Sequence, residues 1–164
     1  MLSYQIVLIG LSVILLPEVY GEGKSVKFRD CKSKFSIKEV RVEPCPGGDG
    51  TRCPLKKGTS PRISVTFTPN AEVRNLTATV FGIVASIPTE FDLPNRNGCL
   101  NSGLTCPLFP GQEYTYTQSV PVLSSYPNLN LLIRWALDSD TSQQGDDDEK
   151  KHEVCFIIRA NIVE

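Results

Sequence analysis

Histidine is nearly absent from this chain: His152 is the only one among 164 residues. A Ser/His/Asp or Cys/His catalytic device would have to be built on it, and no nucleophile-elbow motif accompanies it. It stands beside an acidic turn and reads as an exposed residue at a strand end. There is no run of basic residues, and the formal charge of the whole chain is −1, which argues against a nucleic-acid partner. No segment carries a sustained 3.6-residue apolar period, so a helical architecture is not expected. After the first 16 residues, nothing approaches the roughly 18 continuous apolar residues of a spanning helix. Internal repeats and linker-like stretches are lacking too, which leaves one domain.

What is present begins with a leader. Ile6–Leu16 is apolar except for Gly10 and Ser12 and is too short to cross a bilayer. Pro17 and Glu18 end the run, and Val19-Tyr20-Gly21 offers small residues for a signal peptidase, although the n-region has no Lys or Arg. The expected organisation is a signal peptide over 1–21 and one domain over 22–164. Losing Glu18 with the leader takes the formal charge to zero. Export predicts a secreted, extracellular or lysosomal protein.

Six cysteines follow: Cys31, Cys45, Cys53, Cys99, Cys106 and Cys155. An even number in an exported chain points to disulfides rather than to thiols or a zinc site. Fifteen pairings exist, and spacing alone does not choose among them. The nested set 31–155, 45–53 and 99–106 is the economical one, with two short clips and one staple joining the first strand to the last. Closing a loop that long contributes about 4–5 kcal/mol.

Alternation of period two recurs along the chain. Ile63, Val65 and Phe67 alternate with polar neighbours, as do Leu76, Ala78 and Val80. Phe81–Ile87 then reads as apolar on both faces. Tyr114 and Tyr116 share a parity that continues to Val120 and Val122. Leu129, Leu131, Ile133, Trp135 and Leu137 share one face, and Val154, Phe156, Ile158, Ala160 and Ile162 share another. With Val26–Phe28 and Ile37–Val42, this predicts about seven antiparallel strands in a two-sheet sandwich. Pro, Gly and Asn fill the connections, as in Pro94-Asn95-Arg96-Asn97-Gly98 and Tyr126-Pro127-Asn128. Asn75-Leu76-Thr77 is the one N-x-S/T sequon, with Asn75 as the expected glycan acceptor. Asp138, Asp140, Ser142 and Glu149 fall at calcium-hand positions 1, 3, 5 and 12, but position six holds Gln143 instead of Gly and strands flank the segment. Asp146–Lys151 is therefore expected to be a solvated hairpin turn.

These fragments have a familiar order. Phe28-Arg29-Asp30-Cys31, Pro44-Cys45-Pro46, Cys53-Pro54-Leu55-Lys56-Lys57-Gly58, Val65-Thr66-Phe67-Thr68, Phe81-Gly82-Ile83, Gly98-Cys99 and Cys106-Pro107 resemble the ML lipid-recognition domain family. Pro121-Val122, Tyr126-Pro127 and Trp135 extend the likeness, which runs from about residue 26 to the end. Within that family, the Niemann–Pick type C sterol-carrier branch is the nearest; mite allergens and endotoxin-sensing co-receptors are other members. The resemblance implies an immunoglobulin-like sandwich whose sheets splay around an apolar cavity, and it implies the nested disulfide pairing. Carried over by position, Phe91, Val122 and Tyr126 stand at the cavity mouth. Val42, Ile63, Val65, Val80, Val120, Pro127, Ile133, Trp135, Phe156 and Ile158 match its lining. The chain departs from the family around Phe91, where Thr89, Glu90 and Asp92 are polar, and in the longer loop Gly47–Arg52.

Two functional readings follow. The first is a carrier of a sterol or other apolar lipid, acting without cofactor, metal or catalytic step. Such a carrier is expected to be a monomer that touches a membrane surface or a membrane sterol transporter transiently. The second is a recognition protein of innate immunity or chemical signalling, whose pocket would need a cationic rim; Lys56 and Lys57 are the adjacent lysines near a loop able to supply it.

Overall fold

A computed structural model of the chain describes residues 23–47, 49–142 and 151–164. The leader at 1–21 and positions 143–150 of the acidic turn, Glu149 included, lie outside them. Regular structure in the described residues is entirely β. The strands are β1 (Lys24–Ser25), β2 (Phe28–Asp30), β3 (Ser36–Glu43), β4 (Cys53–Lys56), β5 (Arg62–Thr68), β6 (Thr77–Val84), β7 (Ile87–Phe91), β8 (Tyr114–Ser119), β9 (Asn130–Asp138) and β10 (Val154–Val163). They form a smaller sheet in the order β1-β3-β5-β8 and a larger one in the order β2-β10-β9-β6-β7. β4 joins the larger sheet by pairing in parallel with the end of β10.

Alternation decides which side chains meet between the sheets. The smaller sheet contributes Val40, Val42, Ile63, Val65, Phe67 and Tyr116, and the larger one Val80, Ile133, Trp135, Phe156 and Ile158, all buried. Trp135 is the centre of this core. It stacks on Phe156 at 6.4 Å between ring centroids and meets Tyr116 edge-on across the sandwich at 5.9 Å. Burial pushes the Tyr116 phenol pKa well above its ordinary value, so the ring stays neutral.

Ten strands rather than about seven arise from three local events. The segment expected as one strand at Val26–Phe28 is split: β1 pairs with β3 and β2 with β10, and buried Val26 marks the crossing between sheets. The apolar run Phe81–Ile87 is broken by a two-residue hairpin at Ala85-Ser86, both with positive φ (49° and 67°). Such turns are normally signalled by Asn-Gly, and Ala-Ser carries no such signal. β4 contains Pro54, which an edge position tolerates because no ladder bond is lost there.

The cysteines pair as Cys31–Cys155, Cys45–Cys53 and Cys99–Cys106, with no free cysteine among the described residues. The first of these ties the chain just after β2 to β10, alongside a Cys31 N–H to Cys155 carbonyl bond of 3.0 Å.

Where β9 leads towards β10, a buried carboxylate organises the turn. Glu153 is 4% exposed and accepts from the Ser139 N–H (2.7 Å), the Ser139 hydroxyl (2.8 Å), the Ser142 hydroxyl and the Lys34 ammonium (3.1 Å). Burial works to raise its pKa, but the donors on the ionised form outweigh it and hold the pKa below the ordinary carboxylate value. A depressed folded-state pKa contributes stability above the unfolded value of about 4.3, and that stability is lost as pH falls through the folded value. Glu153→Gln should therefore cost about 2 kcal/mol at neutral pH. The penalty should shrink below about pH 4; urea unfolding across pH checks it, and a pH-independent penalty would contradict the role of the charge.

Candidate functional site

The opposite end of β9 and β10 carries an apolar slot. There Val80 of β6, Phe91 of β7, Leu131 and Ile133 of β9 and Ile162 of β10 face Leu55 of β4 and the segment Val120-Pro121-Val122, with Tyr126 closing the side. Val122 lies outside any strand, but its backbone is pinned in both directions: its N–H donates to Thr59 at 2.9 Å and its carbonyl accepts from Gly58 at 2.7 Å. Tyr126 is held by a turn in which its N–H donates to the Leu123 carbonyl at 3.1 Å. A proline break after β8 thus turns the inward parity of Val120 and Val122 into one wall of a slot between the sheets.

Phe91 sets the shape of that slot. Its ring meets Tyr126 edge-on at 5.7 Å and lies over Gly82, where an added Cβ would fall 2.3 Å from the ring. Glycine at 82 is therefore what lets the ring lie flat against β6. The open space comes to only about 20 Å³. The splayed, open cavity implied by the family resemblance is here a closed slot, because Phe91 and Tyr126 meet across its side. A small-molecule pocket usually measures about 300–1,000 Å³, so a lipid could enter only if these two rings moved and the sheets parted.

Six of the thirteen positions expected at the cavity are brought together here: Val80, Phe91, Val120, Val122, Tyr126 and Ile133. Val42, Ile63, Val65, Trp135, Phe156 and Ile158 do not line the slot; they are packed deeper in the core. Pro127 is exposed on the turn beyond Tyr126. Leu55, Pro121, Leu131 and Ile162 line the slot without having been expected there. Leu131 and Ile162 share the inward parity of Ile133 and Ile158, so a signal for them existed. Leu55 had none, because its place depends on the parallel pairing of β4.

Among the described residues, no charged side chain lines the slot. Lys57 is engaged with Glu164 at 3.0 Å rather than free at a rim, and Lys56 is exposed. Glu90, beside Phe91, pairs with Arg96. At the other end, His152 is half-buried rather than an exposed strand end, with Nδ1 at 2.7 Å from Asp138. Asp140 turns to Asn75, so these two carboxylates of the calcium-hand spacing face different partners. The hydroxyls of Ser139 and Ser142 are turned to Glu153, not to His152.

These features define a class: an immunoglobulin-like β-sandwich, stapled by three disulfides, with a narrow apolar slot between its sheets. The sequence profile of the ML domain matches residues 25–162. The chain is 40% identical over 120 residues to NPC intracellular cholesterol transporter 2 of Bos taurus, an alignment covering 73% of this chain and 78% of that one. It is 35% identical over 153 residues to the protein of the same name in Mus musculus, covering 92% and 95%. The crystal structure of a Niemann–Pick type C2 protein from the Japanese carpenter ant superposes with a TM-score of 0.71 at 26% identity, over 84% of this chain and 99% of that one. This chain belongs to the ML-domain family.

Proposed function

We propose that the chain is an exported carrier that takes a sterol or similarly apolar lipid between its two sheets and passes it on, with residues 1–21 as its signal peptide and a secreted or lysosomal site of action. The observation that carries this reading is the slot itself, walled by ten residues without a charge, in a chain similar to proteins named as cholesterol transporters. Lipid is driven in because an interior of this kind removes apolar surface from water. A sterol of roughly 28 heavy atoms at about −0.3 kcal/mol each gives about −8 kcal/mol, a micromolar affinity suited to release as well as capture. Binding is non-covalent, and no cofactor is needed. The recognition reading is less favoured because Lys57 is tied to Glu164, leaving a thin cationic rim. Mass spectrometry of lipid extracted from the purified secreted protein, with titration of a fluorescent sterol, tests the proposal. Saturable binding of sterol supports it; binding of a phosphorylated glycolipid in place of sterol would favour recognition.

Export also predicts a glycan on Asn75, which is exposed beside β6 while Leu76 points inward. In a eukaryotic secretory host, Asn75→Gln should migrate faster on a gel. Equal mobility beside an endoglycosidase-treated control would contradict the assignment.

A further inference from the structure

Three grooves join into one track across the outer face of the larger sheet. The first, about 260 Å³, is lined by Arg52 and Arg159 with Leu132 between the strands. The second, about 380 Å³, shares Arg159 and adds Lys27 and Arg29 around Leu132 and Ile157. The third, about 360 Å³, shares Arg29 and adds Arg134 and Lys32. Strand alternation turns Arg159, Ile157, Arg134 and Leu132 outward, because Phe156, Ile158, Ile133 and Trp135 of the same strands are buried on the inner face. Register sets Arg29, Ile157 and Arg134 in one row across β2, β10 and β9, and Arg159 and Leu132 in the next. Arg159, which lines the first two grooves, and Cys155, which lines the third, are about 13 Å apart along β10. Arg52 and Lys32 extend the track further.

Among the described residues, Asp30 is the one carboxylate that lines the track, and it accepts from the Lys32 and Ser33 N–H groups at 3.0 Å each. Lys27, Arg29 and Arg159 are exposed and enter none of the ion pairs among the described residues. Two further cations are held in place without being neutralised. The Arg134 guanidinium lies 4.6 Å above the Phe81 ring, and Arg52 donates to the Asn130 amide oxygen at 2.9 Å. In a chain with formal charge −1, the fold has strung these cations along one line.

The geometry points to a binding site for a sulfated glycosaminoglycan, laid along the three grooves with its sulfate and uronate groups on Arg52, Arg159, Lys27, Arg29 and Arg134. The proposal needs the export put forward above but not the lipid. Charge complementarity selects a polyanion, and a line of cations in joined grooves selects a linear one. The guanidinium fork fits the oxygens of a sulfate ester as it fits phosphate, and it fits a carboxylate equally well. A sulfated polysaccharide is the linear polymer outside the cell that offers both groups at regular intervals. Ile157 and Leu132, between the cations, give the C–H faces of the sugar rings an apolar surface to rest on. An acidic peptide suits the track less well. The track crosses β10 and β9, whose backbones are already paired on both sides, so the amides of a peptide would find no ladder to join.

The test is calorimetric titration of the full chain with a size-defined heparin hexasaccharide over a range of salt concentrations. The competing anions are the same hexasaccharide stripped of sulfate, a polyglutamate peptide of matching charge, and vesicles of phosphatidylcholine mixed with phosphatidylserine. The triple variant Lys27→Gln, Arg29→Gln, Arg159→Gln is compared with a control, Lys24→Gln, Lys38→Gln, Arg41→Gln, whose changes lie on or beside the smaller sheet. The unmodified chain and the control should bind the hexasaccharide alike, and salt should weaken both. The triple variant should bind roughly ten- to a hundredfold more weakly. Its dependence of log Kd on log salt should be shallower by about two to three, near one per lost cation. Thermal unfolding within a few degrees of the unmodified chain shows that its fold is intact; should it unfold, Arg159→Gln alone must still weaken binding severalfold. No binding of the hexasaccharide, equal loss in triple variant and control, or no loss in either would overturn the proposal. So would equal affinity for the desulfated sugar or for polyglutamate, or capture by the vesicles alone. Sterol titration is read separately: its failure removes the carrier reading and leaves the polysaccharide site standing.

Discussion

Replacing Cys31 and Cys155 together by serine is expected to cost about 5 kcal/mol, a large part of the 5–15 kcal/mol that stabilises a typical domain. The bond spans 124 positions of sequence, against 8 and 7 for the other two. Loop-closure entropy grows with the logarithm of loop length, so each short clip contributes only about 2–3 kcal/mol by the same reasoning. The staple also acts where the larger sheet is thinly held. β2 has three residues and borders β10 alone, whereas β10 is paired to β9 along eight positions. Without the covalent tie, β2 should fray and expose the Phe156 side of the core. Urea unfolding under non-reducing conditions should show a midpoint lowered far more for this double variant than for serine replacement of Cys99 and Cys106. Equal losses from the two pairs would show that loop length is not what the staple contributes.

The second large effect concerns binding. Phe91→Ala and Val122→Phe should each abolish or severely weaken sterol binding while leaving the sandwich folded. Phe91 is partly exposed and its ring rests on Gly82 and Tyr126, so truncation removes an aromatic wall worth roughly 2–3 kcal/mol of burial to a ligand. A fully packed phenylalanine would instead cost the fold about 3–5 kcal/mol. Val122→Phe drives a ring into the slot between pinned backbone bonds, at a folding cost of about 1–3 kcal/mol. Gly82→Ala probes the same contact from the other strand, because its methyl group takes the place where the Phe91 ring lies. Titration with a fluorescent sterol and thermal unfolding should be measured on all three. Lost binding with a melting point within a few degrees of the original supports the slot as the lipid site. Severe destabilisation by both Phe91→Ala and Val122→Phe would show that these side chains are ordinary core.

Much of this was legible in the sequence, and for identifiable reasons. Period-two alternation records which side of a strand is buried, so Ile63/Val65, Ile133/Trp135 and Phe156/Ile158 could be assigned to inward faces before any coordinates. The turn residues set where those strands stop. The cysteine spacing favoured the pairing that the structure holds, although spacing alone left alternatives that the family resemblance was needed to close. What alternation does not record is depth: Val80 and Val65 look alike as inward valines, yet one lines the slot and the other is packed behind it. That difference depends on where a neighbouring strand ends and which sheet its successor joins.

Composition and local pattern, then, determined the class of this molecule: an all-β, disulfide-stapled domain with its apolar residues on one face of each strand. They act through short-range causes, the pleat and turn dihedrals, which a linear chain displays openly. The tertiary structure alone decided three things. Pairing β4 in parallel with β10 brought Leu55 to the slot. An Ala-Ser hairpin without turn signals folded Phe91 back over Gly82 and closed it. Register across β2, β10 and β9 assembled Arg29, Arg134 and Arg159, more than 100 positions apart at the extremes, into one cationic face. Each is a contact between residues distant in sequence, and only the packing of the two sheets makes them neighbours.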